Sequence, residues 1–182
     1  PRARRVHALP APADRARAPS FRSDPNFDLS AREGATLDSP PMRIASLGGG
    51  PAGLYFSILM KKAFPDARIT VYERNQPADT FGWGVVFSDE TLGNFEAADP
   101  ESFAEIRRNF AYWSDIETFY GDTCVRSTGH GFCGLSRKKL LQIFHARCKE
   151  LGVDVRFQHD VKDDAEVADA DLILVVVDAS DP

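Results

Sequence analysis

Three glycines in this chain have the spacing that is needed to bind a diphosphate. Gly48, Gly50 and Gly53 lie between an apolar run, Ile44–Leu47, and an apolar pattern with helical spacing. In such a turn Gly48 permits a sharp bend, Gly50 lets a diphosphate approach the backbone, and Gly53 lets the helix pack close to the strand. The free N–H groups and the dipole at the start of the helix attract phosphates. Pro51 is compatible with this position, because its missing N–H would have no partner there.

A carboxylate ends the next predicted strand. Glu73 closes Ile69–Glu73 and is placed to accept hydrogen bonds from a ribose. It lies 25 positions after Gly48, against the usual ~20, and the Lys62–Arg68 loop accommodates the difference. We therefore predict a β-α-β dinucleotide site. A coincidental glycine turn would instead place Glu73 far from the turn, or fill the space above Gly50 with side chains. Glu73 by itself would also permit an NAD-binding dehydrogenase domain.

The elements that must position these residues follow from periodicity and cap signals. Together they predict an α/β fold with a Rossmann-like parallel sheet, flanking helices, and a loop over Arg74–Ser88. The predicted strands are Arg43–Leu47, Ile69–Glu73, Val153–Phe157 and a buried Leu172–Val177, with two more inside Ile116–Ser127 around a Gly121-Asp122 turn. The predicted helices are Pro51–Ala63, Asp89–Ala98, Pro100–Asn109 and one that Ser136 caps and Gly152 ends.

Composition excludes several classes of function. The formal net charge of −5 argues against a nucleic-acid binder, whose binding surface would be basic. The longest apolar runs, such as Leu172–Val177, are too short to span a membrane. The three cysteines show no Cys-x-x-Cys pair, which predicts reduced thiols in a cytoplasmic protein. The histidines have no metal-ligand spacing, so we predict no metal site.

Residues 1–41 differ in character from the rest of the chain. They contain seven Pro and seven Arg but no Lys, and they lack apolar periodicity. This composition predicts a disordered leader. Met42, directly before the first strand, makes a natural start, so the leader is interpreted as an extension or as sequence upstream of the true start. We expect residues 42–182 to form the N-terminal part of a cofactor-binding domain.

A second set of motifs resembles a known family. The segments GGGPAGLYF, ERN, FGWGVVFSDETL and GLSRKKLL resemble the flavin-dependent aromatic monooxygenases of the p-hydroxybenzoate hydroxylase type. Within that superfamily, FGWGVVFSDETL is similar to the hydroxylases of salicylyl-CoA and 2-aminobenzoyl-CoA. The tryptophan-pathway hydroxylases of violacein synthesis share a similar GWGVV segment. The resemblance covers about residues 42–170.

The resemblance implies FAD as the cofactor and assigns residues to it. The expected cofactor-binding residues are Gly48, Gly50, Pro51, Ala52, Gly53, Leu54, Glu73, Arg74, Gly84, Val85, Arg137 and Asp178. Arg137 matches an arginine that reaches toward the FAD phosphates, and the alternative is an exposed arginine at a helix start. Gly84 and Val85 match the loop beside the isoalloxazine ring, and the alternative is a surface turn with Trp83 packed on the core. Asp178 matches an Asp-Gly pair whose glycine is Ala179 here. A role for His130 near flavin or substrate stays open.

The resemblance also implies a reaction. FAD, with NADPH or NADH and O2 as co-substrates, would hydroxylate a small aromatic substrate, in the closer relatives an aryl-CoA thioester. An indole or tryptophan-derived substrate is the alternative, and an inactive nucleotide-binding remnant is a third hypothesis. Because the family normally continues well beyond this length, we expect the fold to be incomplete at its C-terminus. We also expect this chain on its own to be inactive, with part of its apolar surface exposed.

Overall fold

The computed structural model describes residues 40–80 and 82–176. The leader predicted for residues 1–41 therefore lies almost wholly outside it, as do Val177 and Asp178. The strands are β1 Arg43–Leu47, β2 Arg68–Glu73, β3 Gly84–Ser88, β4 Ala111–Trp113, β5 Ile116–Tyr120, β6 Thr123–Ser127, β7 Phe132–Ser136, β8 Asp154–Phe157 and β9 Leu172–Val175. The helices are α1 Pro51–Ala63, α2 Asp89–Ala98, α3 Pro100–Asn109 and α4 Arg137–Leu151, with a short 3-10 helix at Asp164–Val167.

A parallel sheet in the order β8-β2-β1-β9 carries the fold. β1 pairs with β2 on one side and with β9 on the other, so the chain builds the sheet outward from β1 through β2 to β8 and then crosses to β9 on the opposite side of β1. Helices α1 and α4 pack against each other and against this sheet. The predicted Rossmann-like architecture is confirmed. In open sheets of this kind, ligands bind at the carboxyl ends of the strands where the connections diverge, which here is the end of β1.

The helices begin and end where their cap residues predict. The Ser88 hydroxyl accepts from the N–H of Thr91 at the start of α2, and the Ser136 hydroxyl accepts from the N–H of Lys139 at the start of α4. Gly152 ends α4 in the left-handed conformation, with φ of 76°. The predicted bounds of all four helices are confirmed.

The core lies between α1, α4 and the parallel sheet. Leu54 and Ile58 of α1 are fully buried, and so are Leu140 and Phe144 of α4 apart from 1% each. Burial of each such side chain stabilises the fold by about 1.5–3 kcal/mol. Tyr55 stacks on Phe144 with ring centroids 5.3 Å apart, which joins the two helices. The apolar side chains that recur at helical spacing in α1 and α4 thus meet in this core.

A second, antiparallel sheet was not predicted. Its order is β3-β7-β4, so the prediction of a loop throughout Arg74–Ser88 is wrong for β3. Glycines within β3 and β7 make these two strands hard to predict from the sequence. A side chain at Gly84 would meet the carbonyl of Leu135 at 3.1 Å, and one at Gly134 would meet the Trp113 ring at 3.1 Å. Close packing selects glycine at both positions, although glycine ordinarily weakens a strand prediction.

Several apolar side chains are exposed. The prediction of a buried last strand is wrong, because Leu172, Ile173 and Val175 of β9 are between 40% and 59% exposed. β9 has β1 on one side and lies at the edge of the parallel sheet. The predicted hairpin of β5 and β6 is confirmed, and Phe119 and Tyr120 on it are 70% and 88% exposed. Exposure of apolar surface agrees with the sequence-based expectation.

Candidate dinucleotide site

The turn after β1 requires glycine at two positions. Gly48 has a φ of +115°, which side chains rarely adopt, and its N–H donates to the carbonyl of Tyr72 at 2.9 Å. A Cβ at Gly53 would lie 2.1 Å from the carbonyl oxygen of Gly48. The helix therefore packs directly on the turn. Both geometries fit the roles that the glycine spacing predicts.

The space above Gly50 is open. Gly50 is the N-cap of α1 with an ordinary extended backbone (φ −70°, ψ 176°). A Cβ placed there would meet one neighbour within 4 Å, the Arg137 guanidinium Nη2 at 3.9 Å. The N–H groups of Ala52 and Gly53 are in the first turn and have no carbonyl of a preceding turn to bond. An anion above Gly50 would thus face backbone donors and a guanidinium.

Glu73 lies at the mouth of this turn. Its Oε2 accepts from the N–H of Gly49 at 2.8 Å. Its Oε1 accepts from Asn75 twice, from the backbone N–H at 2.8 Å and from Nδ2 at 2.7 Å. The carboxylate is therefore held rigidly, and its remaining lone pairs can accept from the hydroxyls of a sugar. The coincidental-turn alternative required Glu73 to lie elsewhere, so the geometry opposes it.

A small cavity of about 70 Å³ joins these groups. Its walls include Gly50, Glu73, Thr80, Arg137 and His145. Two buried polar atoms, the Nε2 of His145 and the Oγ1 of Thr80, have no hydrogen-bond partner among the described residues. Burial lowers the pKa of His145, and the charge of Glu73 opposes that shift only in part. The lowered pKa favours a neutral imidazole in the cavity that the Glu73 carboxylate also lines.

His145 was not predicted as a site residue. The signal that could have found it is spacing along α4. Arg137, Leu141 and His145 are four residues apart, so they share one helix face, and all three line the cavity.

Gly84 and Val85 lie beside Arg137 but outside the cavity. β3 pairs with β7 so that Gly84 lies opposite Ser136, the N-cap of α4. Gly84 and Val85 line a separate open groove along β3 and β7. Trp83 is 97% exposed, so the alternative that packs it on the core is wrong. A flat ring could approach this strand, where the exposed Trp83 and Gly84 leave the backbone accessible.

Two further predicted cofactor residues, Leu54 and Arg74, do not line the cavity. The side chain of Leu54 is buried in the core and its N–H donates to Gly50 at 3.1 Å, so it offers no group to a ligand. We therefore correct its assignment to a core residue. Arg74 is exposed beside Asp160, where it assists Lys162 in lowering the pKa of that carboxyl. Asp178 lies outside the described residues.

His130 belongs to another part of the molecule. Its Nε2 lies 2.5 Å from the hydroxyl of Ser127, and its ring stacks on Phe132 with centroids 5.5 Å apart. It is tied to the β6–β7 connection and does not line the Glu73 cavity. Within residues 40–80 and 82–176, no cluster of three His, Cys, Asp or Glu side chains could hold a metal ion, and no helix is long and apolar enough to cross a membrane.

A buried ion cluster fixes α1 and α4 at their far ends. The carboxylate of Asp99 is fully buried and accepts from Lys62 of α1 at 2.8 Å and from Arg147 of α4 at 2.9 Å. It also caps α3 by accepting from the N–H of Ser102. Burial by itself would raise the pKa of Asp99, but the hydrogen bonds from Arg147, Lys62 and Ser102 outweigh it and hold that pKa well below its usual range.

Comparison with known proteins supports the resemblance. No protein-family model matches the chain. It is 44% identical over 134 residues to a salicyloyl-CoA 5-hydroxylase of a Streptomyces species, covering 74% of this chain and 26% of that protein. It is 31% identical over 139 residues to the protodeoxyviolaceinate monooxygenase of Chromobacterium violaceum, covering 75% and 37%. The chain thus spans between about a quarter and just over a third of the length of these relatives.

Solved structures share the fold. A tetrameric form of 2-methyl-3-hydroxypyridine-5-carboxylic acid oxygenase superposes with a TM-score of 0.58 at 21% identity, covering 66% of this chain and 32% of that one. The p-nitrophenol 4-monooxygenase PnpA of Pseudomonas putida DLL-E4 also superposes with a TM-score of 0.58, at 18% identity, covering 68% and 33%. The resemblance stated from the motifs is therefore confirmed: in sequence and in fold, this chain is related to the flavin-dependent monooxygenases of aromatic compounds.

Proposed function

We propose that residues 42–176 hold FAD as part of a monooxygenase that hydroxylates an aromatic substrate with NAD(P)H and O2. The observation that carries this proposal is the open space above Gly50. It is bounded by the N-terminus of α1, the Arg137 guanidinium and the fixed carboxylate of Glu73. These groups match the parts of a dinucleotide in order, because amides and guanidinium suit a diphosphate and a carboxylate suits ribose hydroxyls.

The residues fit the cofactor, with one condition. Binding sites for ligands of this size usually enclose about 300–1,000 Å³, whereas the cavity beside Glu73 encloses about 70 Å³. The loop over residues 76–79, which follows the Asn75 that holds Glu73, supplies one wall of the cavity. Displacement of that loop would enlarge the cavity without disturbing β1, α1 or α4. We expect adenosine to enter there, with the diphosphate above Gly50.

When bound, FAD supplies the oxygen-transfer chemistry, and the chain supplies position and electrostatics. The Arg137 guanidinium and the α1 N–H groups would hold the diphosphate. Glu73, held by Gly49 and Asn75, would orient the ribose. Gly84 and Val85 would lie beside the ring, since their strand pairs with β7, which leads into the start of α4 where Arg137 lies.

The relatives guide the choice of substrate. The 44% identity to a salicyloyl-CoA 5-hydroxylase favours an aryl-CoA thioester as substrate of the whole protein. The 31% identity to a protodeoxyviolaceinate monooxygenase supports an indole-derived substrate as the second candidate. An inactive nucleotide-binding remnant is the third. We further propose that the protein acts in the cytoplasm, since its composition predicts reduced thiols.

The test is cofactor binding followed by turnover. Purified chain is titrated with FAD, and binding is followed by flavin fluorescence and calorimetry. We expect saturable FAD binding that Arg137→Ala weakens, with Lys138→Ala, an exposed neighbour on α4, as the matched control. NAD(P)H oxidation is then measured with salicyloyl-CoA and with an indole substrate, and robust turnover would contradict the expectation that this chain is inactive on its own. Absence of FAD binding to a folded chain would refute the proposal and favour the remnant.

A further inference from the structure

The half-buried imidazole of His145 has one buried polar atom that no group in the described protein satisfies. Its Nε2 has no hydrogen-bond partner among the described residues. A buried polar atom that is left unpaired destabilises the folded state, because it gives up its hydrogen bonds to water and gains none. Proteins rarely keep this arrangement without a reason. The ring packs edge-on against Phe157, with centroids 5.0 Å apart, which fixes its plane.

The position of His145 connects it with the dinucleotide site. It lies two turns along α4 from Arg137, on the same face, and it lines the cavity that Glu73 and Gly50 also line. Thr80, on the opposite wall, contributes the second unsatisfied atom of this cavity, its Oγ1. Two unpaired polar groups therefore converge from α4 and from the loop on one small space.

We propose that His145 is a dinucleotide-contacting residue whose Nε2 hydrogen-bonds the adenosine half of the bound cofactor. This inference rests on the proposed function and adds a specificity residue to it. Adenosine offers partners for either tautomer of a neutral imidazole: ribose hydroxyls that donate or accept, and ring nitrogens that accept. Glu73 marks the ribose position, so the adenosine half is the part of the cofactor within reach of the same cavity.

The proposal predicts effects of opposite sign on stability and on binding. His145→Phe keeps an aromatic ring against Phe157 and removes the unpaired nitrogen. The free variant should therefore unfold at the same temperature or a higher one. Its Kd for FAD should rise about tenfold, because one hydrogen bond is lost and a polar group of the ligand is left unpaired. His145→Gln, which keeps a donor and an acceptor, should bind FAD with intermediate affinity.

The experiment measures the melting temperature and Kd with FAD, AMP and FMN. AMP retains the adenosine half, whereas FMN lacks it. His145→Phe should weaken FAD and AMP and leave FMN unchanged. His159→Gln is the control, because that histidine pairs with Glu166 in an exposed position. In the wild-type chain, the 15N resonance of the His145 Nε2 should shift when AMP is added.

Each outcome bears on the proposal. Wild-type binding of FAD with an unchanged Kd in His145→Phe would overturn the His145 inference and leave the proposed function standing. Equal loss of stability and affinity would assign His145 a structural role and overturn it as well. A folded wild-type chain that binds neither FAD nor AMP would refute the proposed function, and this inference with it.

Discussion

Gly50→Ala is the substitution that separates ligand binding from folding. The backbone of Gly50 is in an extended region open to all residues, and an added Cβ would meet no atom closer than 3.9 Å. Alanine is a poorer N-cap than glycine by roughly 0.5–1 kcal/mol. Alanine also reduces the conformational freedom of the unfolded chain, which stabilises the folded state by about 0.4–1 kcal/mol. The two effects nearly cancel, so the free energy of unfolding should change by less than about 0.5 kcal/mol.

Gly50→Ala should lower the affinity for FAD much more than it changes the free energy of unfolding. The new methyl group would occupy the space through which a diphosphate approaches the N–H groups of α1. Loss of one hydrogen bond to a charged group costs about 1.5–3 kcal/mol, which corresponds to a Kd increase of roughly 10- to 150-fold. Urea unfolding gives the stability, and calorimetric titration with FAD gives the affinity.

Gly53→Ala is the comparison variant. Its Cβ would lie 2.1 Å from the carbonyl of Gly48, inside the packed turn. We expect overpacking to cost about 1–3 kcal/mol, so stability and affinity should fall together. If Gly50→Ala bound FAD as tightly as the wild type while remaining folded, the diphosphate could not lie above Gly50. The reasoning from the open turn would then be wrong.

Three other substitutions or measurements test separate parts of the molecule. Glu73→Gln should raise the Kd for FAD about tenfold in the same titration, because a neutral amide accepts more weakly than a carboxylate; an unchanged Kd would remove Glu73 from the site. Asp99→Asn should lower the free energy of unfolding by ~3 kcal/mol, since it leaves buried cations unpaired. The folded pKa of Asp99 is depressed, so its contribution to the free energy of unfolding is fully present above the unfolded pKa of about 4 and is lost progressively as the pH falls from there toward the folded pKa. Urea titrations from pH 7 to pH 3 should therefore show the difference in free energy of unfolding between wild type and variant becoming smaller. A thiol reagent at pH 7.5 should modify exposed Cys124 and spare Cys148 in the native state, because burial raises the pKa of the Cys148 thiol to about 12; rapid labelling of Cys148 would contradict its burial.

Local patterns were sufficient for the first β-α-β unit. The strand at Arg43–Leu47, the helix at Pro51–Ala63 and the acid at Glu73 are each specified by neighbours in sequence, so their placement could be predicted. The second sheet could not, because Gly84 and Gly134 are selected by contacts with distant residues. Long-range packing of this kind leaves no periodic trace.

The candidate site also has a part that could be predicted from local sequence and a part that could not. The turn glycines and Glu73 have a spacing that follows from the chemistry of a diphosphate and a ribose. His145 is 72 positions beyond Glu73 and enters the cavity only because α4 packs beside α1. The burial of β9 was overestimated for a related reason, since an apolar run does not reveal whether a strand has one neighbour or two.

The Asp99 cluster has a consequence for the far side of the molecule. Lys62 and Arg147 lie near the C-terminal ends of α1 and α4, whereas the N-terminal ends of the same helices carry the glycine turn and Arg137. The two helices run side by side in the same direction, so the carboxylate that joins them at one end also restrains their spacing at the end where the diphosphate is proposed to bind. Substitutions around Asp99 should therefore alter the width of the space between Gly50 and Arg137 without changing any atom that lines it.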